Sequence, residues 1–395
     1  MKITLNIFKH ALVLVSLSLG CCKQPNDNTN NISITRTIEI PKQTYSKSGS
    51  FYDHSLGAEF IYLTEPVTLK HIRIYDIYGS FVDSIPLNRA ISELDEIQSI
   101  SIISLDTIII SAFISSKIVF LNRYGECYRK INIEDILADS IRNVFEFYPS
   151  IKYDYLENAY NLIYRAWPNY HKILSDNNMY TNSMNTNMFN YYKFFHKSPF
   201  LFKLDINLDS ISYKFGCNDI YKNICEDNYL FDEVPNFKIL NNRVFIWSNY
   251  SNSLFEVDEN SMEINRKIAV NSKYTKTFVN PIKIDTINLE KQLELQQNFN
   301  LYGGGIYNVF YNNTEKRYYI IVKHQEIHKN YKNAQKSFSV IVYDDDFKES
   351  KEYLMDETKY IYSSAIMLRE GLMFITVDTK GSSKKTREYE ILYFD

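Results

Sequence analysis

From Ile32 onward the chain reads as short alternating runs broken by turn residues. In "ISITRTIEI" the apolar positions Ile32, Ile34, Ile38 and Ile40 share one face of a strand, with polar residues on the other. Two later stretches match each other without a gap: "IRIYDIYGSFVDSIPL" from Ile72 and "IVFLNRYGECYRKINI" from Ile118. In each, an apolar-rich run reaches Asp76 or Asn122. A Tyr-Gly pair follows, then a second alternating run. An Asx side chain that caps a turn, followed by a Gly that accepts positive φ, predicts a β-hairpin.

Looser copies end at Asp205 ("LFKLD"), Asp258 ("LFEVD"), Asp344 ("VIVYD") and Asp395 ("ILYFD"). Further strands precede most of these hairpins. Units of about four strands recurring every ~40–60 residues predict an all-β fold, a β-propeller. Six hairpin marks predict six blades. The last mark lacks a returning strand, so the strand at Ile32–Ile40 is expected to complete that blade and close the ring. Closure of this kind hides a vulnerable sheet edge. The long intervals after Asn122 and Asp258 leave seven blades as the alternative. The residues favour insertions instead: "LENAYNLIYRA" and "NNTEKRYYIIV" read as equivalent hairpins, and a polar stretch follows each. Leu289, Leu293 and Gln296 fit a short helix, as do Ile136, Leu137 and Ile141.

Composition agrees with a β-rich fold: 33 Tyr and 25 Phe against only 11 Gly and 9 Pro. Three of those Gly are consecutive, Gly303 to Gly305. A phosphate-cradling loop needs a helix after it. Here a strand pattern follows, so the run is expected to admit the backbone to a crowded inner strand.

The N-terminus adds a location. Lys2 and Lys9 flank the start of "ALVLVSLSLG", an apolar run too short to span a bilayer, and Cys21 and Cys22 follow. The layout resembles a bacterial lipoprotein signal with lipid on Cys21; Cys22 and an ordinary secretory signal are the alternatives. The expected organisation is a signal peptide at 1–20, a lipidated Cys and flexible tether at 21–31, and one propeller domain at 32–395. The expected partner is then a membrane, reached through the lipid, in the cell envelope and at its outer membrane. The formal net charge is −3, and loss of the signal with its two Lys leaves −5. This mild acidity argues against nucleic acid.

Cys217 and Cys225 are close enough in sequence to form a disulfide in an oxidising envelope, while Cys127, in a strand pattern, is expected in the core. Asp-Ser/Thr-Ile triplets present Ser84, Thr107, Ser140, Ser210 and Thr286. They read as turn caps, and they also resemble the O-glycosylation signal of Bacteroidota. "HQEIH" spaces His324 and His328 for zinc on a helix, but the zincin pattern fails and a solvated loop is expected. Asp344–Asp346 lack the oxygen spacing of a calcium loop and read as a charged turn. No metal and no cofactor is expected.

The stretch "IYNVFYNNTEKRYYIIV", a basic polar insertion and "FSVIVYDDDFKESKEYLM" resemble the lipoproteins of domain of unknown function 4221 from Bacteroidota, over residues 301 to 354. Members often carry Arg where this chain has Ile320. The resemblance implies a six-bladed propeller on the cell envelope and implies no activity.

In a four-stranded blade the loops between second and third strands share one face of the disc. The two polar insertions are such loops. They carry Tyr170, His171, Tyr180, His196, His324 and His328, with Trp167 at the entrance of the first. Long loops on a rigid scaffold often carry function, so this face is the expected site for binding a protein or glycan. A lyase or hydrolase with a central-channel site is the second reading, and a structural subunit of an envelope complex the third. Side chains from several blades converging on one point would mark an enzyme; an aromatic face would mark a binder.

Overall fold

The computed structural model describes residues 31–41, 47–64, 71–87, 97–112, 117–132, 135, 145–154, 159–168, 201–206, 211–217, 236–249, 251–258, 260–275, 304–324, 337–377 and 386–395. Strand β1 (Ile32–Pro41) opens the fold. The first blade holds β2 (Lys47–Asp53), β3 (Ala58–Thr64), β4 (His71–Asp76) and β5 (Phe81–Pro86). The second holds β6 (Ile97–Ser104), β7 (Thr107–Ala112), β8 (Lys117–Leu121) and β9 (Cys127–Asn132). The third holds β10 (Phe145–Asp154), β11 (Ala159–Pro168), β12 (Leu201–Ile206) and β13 (Ile211–Gly216). The fourth holds β14 (Asn236–Leu240), β15 (Arg243–Trp247), β16 (Ser253–Val257) and β17 (Ile264–Ala269). The fifth holds β18 (Gly305–Asn312), β19 (Arg317–Lys323), β20 (Phe338–Asp344) and β21 (Ser350–Met355).

Blades made of four consecutive strands therefore number five among the described residues, not six or seven. One further four-stranded sheet is composite. It contains β22 (Ile366–Leu368), β23 (Gly371–Ile375) and β24 (Thr386–Phe394), completed by β1 from the other end of the chain. β1 runs antiparallel to β24, with Ile32 opposite Phe394 and Ile40 opposite Arg387. The first strands of successive sheets touch in a closed cycle, β2 to β6, β10, β14, β18, β22 and back to β2. No seventh sheet stands in either long interval among the described residues, and each interval holds an insertion within a single sheet. Residues 169–200 join β11 to β12, and residues 324–337 join β19 to β20. The two expected helices lie outside the described residues.

The core lies between neighbouring sheets. One apolar cluster joins Ile72, Ile74 and Ile85 of the first blade to Ile108, Ile110 and Val119 of the second. Another joins Ile38 and Ile40 of β1 and Ile391 of β24 to Ile61, Leu63 and Tyr75 of the first blade. The closing strand thus buries side chains against a blade to which its own sheet has no covalent hairpin.

The turns between third and fourth strands behave as their sequences require. Asp76 Oδ1 accepts the amides of Tyr78 (2.9 Å) and Ser80 (2.8 Å), and Gly79 has φ +87°. Asn122 Oδ1 accepts those of Tyr124 and Glu126, both at 3.0 Å, and Gly125 has φ +73°. The looser copies use the same turn without Gly. Asp258 and Asp344 cap theirs, and Met262 (φ +60°) and Phe347 (φ +58°) take the left-handed position. Asp344 of the charged triplet is thus a turn cap. Gly305, buried, begins the innermost strand β18 of its blade.

Candidate functional site at the mouth of the central channel

The first strands of the sheets contact one another around the ring, and among the described residues two of the turns joining first to second strands share a design. In the first blade Asp53, 1% exposed, accepts the amides of Ser55 (2.9 Å) and Leu56 (3.2 Å). Its other oxygen accepts the amide of Leu105 from the second blade at 2.9 Å. Burial alone would raise the Asp53 carboxyl, but the Ser55 hydroxyl and these three amides hold it below the usual carboxylate value. In the fifth blade Asn312, also 1% exposed, accepts the amides of Thr314 (2.9 Å) and Glu315 (3.1 Å). Its amide nitrogen donates to the carbonyl oxygens of Leu368 and Arg369 in the composite blade, each at 3.2 Å. Each Asx side chain therefore closes its own turn and ties it to the next blade. A tyrosine precedes each, Tyr52 and Tyr311.

The composite blade completes the mouth. The Arg369 guanidinium lies over the Tyr52 ring, 3.9 Å from its centroid, and His54 meets the same ring edge-on at 5.0 Å. The Arg369 amide donates to both oxygens of Glu59 at 3.0 and 3.1 Å. Burial pushes the Glu59 carboxyl up, against the pull of that amide and of the Arg369 charge. Together with Tyr311 and Asn313 these side chains border a pocket of about 280 Å³. Three blades contribute, the first, the fifth and the composite one.

Trp167 pairs with Glu146 inside the β10–β11 ladder. Tyr170, His171, Tyr180, His196 and His328 lie outside the described residues, as do Ser140, Ser210, Thr286, Cys21 and Cys225. His324 corrects the expectation of a solvated loop. It is 6% exposed, its amide donates to the Ser337 carbonyl at 2.8 Å, and its ring lies 5.5 Å from that of Tyr274. Its Nε2 is buried without a hydrogen-bond partner. Burial lowers the imidazole pKa, opposed by the charges of Glu352 and Glu357. The bond from its amide continues the β19–β20 pairing one residue past Lys323, the last residue of β19.

Cys127 is a second correction. It is exposed at the start of β9, the outermost strand of its blade, instead of buried in the core. Cys217 carries a free, buried thiol whose Sγ lies 3.2 Å from the Met262 carbonyl oxygen, and burial pushes its pKa up. Of the triplet hydroxyls, Ser84 and Thr107 are half-buried in strands. The Ser84 hydroxyl lies 3.3 Å from Nδ1 of His71.

No family model and no curated protein matches this chain. Solved structures do resemble it. A member of the domain of unknown function 4221 family from Bacteroides vulgatus superposes with a TM-score of 0.67 at 16% identity. That match covers 93% of this chain and 99% of the other. A Bacteroides fragilis protein designated as exported gives a TM-score of 0.51 at 10% identity, covering 94% of this chain and 98% of that one. At these identities the likeness shows the fold, a β-propeller, and nothing about the chemistry at the channel mouth.

Proposed function

We propose that this protein is a cell-envelope lipoprotein of the domain of unknown function 4221 family, lipidated at Cys21, whose propeller binds a glycan at the mouth of its central channel. The observation that carries this reading is the meeting of Tyr52, His54 and Glu59 with Tyr311, Asn313 and Arg369 from two other blades. A tyrosine face offers contact to the C–H face of a sugar ring, while Arg, Asn and Glu offer directed bonds to its hydroxyls. The pocket lies near the lower end of the ~300–1,000 Å³ range of small-molecule sites. It accommodates the end of a saccharide chain better than a folded protein surface.

The pairing of these groups favours binding over catalysis. Arg369 is committed to the Tyr52 ring and, through its amide, to Glu59. Groups fixed by each other form a preorganised surface, which lowers the entropy lost when a ligand binds. The likeness in fold to a Bacteroides fragilis protein designated as exported supports the location.

The test is an oligosaccharide array probed with the soluble propeller, residues 32–395. The reading predicts binding to a defined group of glycans, lost in Tyr52→Ala and in Arg369→Ala. Array signals absent for the wild type, or unaffected in both variants, would refute it.

A further inference from the structure

Exposed apolar side chains are unevenly spread around the propeller. Among the described residues nine large ones are exposed, and six of them stand on three neighbouring parts of the ring. These are Ile34 on β1, Tyr78, Phe81 and Val82 on the β4–β5 hairpin, and Tyr124 and Tyr128 on the β8–β9 hairpin. Tyr78 and Tyr124 hold the same place in their turns, just before Gly79 and Gly125, and are 65% and 70% exposed. Phe81 and Val82 are consecutive on a strand, so they point to opposite faces. Both reach solvent on β5, the outermost strand of its blade.

The turn itself does not require these side chains. The same Asx-capped turns of the fourth and fifth blades present Asn260 and Ser261, or Asp346 and Lys348, to solvent. Their apolar residues Met262 and Phe347 are buried.

The six side chains belong to one connected stretch. The Arg36 guanidinium of β1 lies 4.3 Å from the Tyr78 ring centroid and joins the closing strand to the first hairpin. Within that hairpin Tyr75 meets Phe81 edge-on at 5.9 Å. Arg123 of the second hairpin donates to Asp83, next to Val82, at 2.7 Å. Single apolar side chains are ordinary on a surface, whereas a connected group marks a contact.

The chain that leads into the fold says what that contact is. Cys21, assigned to the lipid, stands 11 positions before Ile32. A flexible tether of that length averages about 18 Å end to end and reaches about 38 Å at full stretch. It enters at β1, the strand that carries Ile34 and Arg36. The rim beside β1 is therefore the part of the propeller held nearest the bilayer. Tyrosine, with an apolar ring and a polar hydroxyl, suits the headgroup boundary.

We infer that this rim lies against the lipid bilayer, with Tyr78, Tyr124 and Tyr128 at headgroup level. The anchored propeller then stands in one orientation instead of turning freely on its tether. The inference rests on the lipid-anchor reading and not on the glycan reading.

Radiolytic hydroxyl-radical footprinting of the full chain tests it. The chain purified from membranes is reconstituted in vesicles of phosphatidylethanolamine and phosphatidylglycerol, and compared with the Cys21→Ser chain in solution. Oxidation of Tyr78, Tyr124 and Tyr128 is expected to fall at least threefold on vesicles, while Tyr274, past the end of β17 and 46% exposed, keeps its rate. Phe81→Asp combined with Tyr124→Asp, both at exposed positions, should restore most of the oxidation at Tyr78 and Tyr128. Unchanged rates at the three rim tyrosines, or equal protection at Tyr274, would overturn the inference. Intact mass separates the two readings, because a purified chain without acyl groups refutes the anchor alone. A hexahistidine tag in place of residues 1–21, held by nickel-chelating lipid in the same vesicles, then repeats the footprint, and the same two results decide the rim.

Discussion

The Ser50 hydroxyl on β2 donates to the Met367 carbonyl oxygen on β22 at 2.5 Å. This bond joins the first blade to the composite one at the innermost strands, beside the pocket. It exists only because β1 and β24 bring the two ends of the chain into one sheet. The Arg36 guanidinium of β1 strengthens the same seam. It bonds the Ile77 carbonyl oxygen at 3.2 Å and Glu370 at 2.8 Å, and lies 4.3 Å from the Tyr78 ring centroid.

Ring closure should therefore be measurable as stability. Ile40 is fully buried and Ile34 is 50% exposed on the same strand. Ile40→Ala is expected to cost about 2–5 kcal/mol, and Ile34→Ala to stay within about 0.5 kcal/mol. Urea unfolding of the two variants checks the difference.

The blade turns separate two costs of a side chain. Gly57 and Gly125 both have positive φ, so Ala at either should cost about 1–2 kcal/mol in backbone strain. At Gly57 the added Cβ meets only the Tyr52 hydroxyl at 3.9 Å, whereas at Gly125 it meets the Pro86 carbonyl oxygen at 1.9 Å. Gly125→Ala should thus lower the thermal midpoint clearly more than Gly57→Ala.

His324 predicts a pH dependence. Its folded pKa lies below the ordinary imidazole value of 6.5 because burial disfavours the imidazolium. Below that value the unfolded chain binds the proton more readily than the folded one, so stability falls as pH drops through and below 6.5. His324→Phe should flatten this decline, seen in urea midpoints between pH 7 and pH 5.

The lipid anchor is tested chemically. Cys21→Ser should move the protein from the membrane fraction to the soluble one and abolish incorporation of radiolabelled palmitate. Retention of both with Cys22 intact would transfer the assignment to Cys22.

Much of the architecture was legible because local chemistry repeats. The Asx-Tyr-Gly turns after Ile72 and Ile118 announce hairpins, and the alternation at Ile32–Ile40 matches a strand lacking a local partner. The looser units were harder to read because Met262 and Phe347 occupy left-handed positions that Gly normally marks. The pocket was not legible. Glu59 and Arg369 stand 310 residues apart in sequence and meet only after closure. One signal was available: a Tyr precedes the Asx cap of the first-to-second-strand turn at both Tyr52-Asp53 and Tyr311-Asn312. The expected binding face drew attention instead because its insertions are long and polar, which is visible in one dimension while convergence is not.

The site assignment is tested most directly by hydrogen–deuterium exchange of the propeller with and without its tightest array oligosaccharide. Binding at the channel mouth predicts added protection in residues 50–59, 311–313 and 367–369. Protection confined to residues 169–200 and 325–336 would place the ligand on the insertion-bearing face and contradict the account.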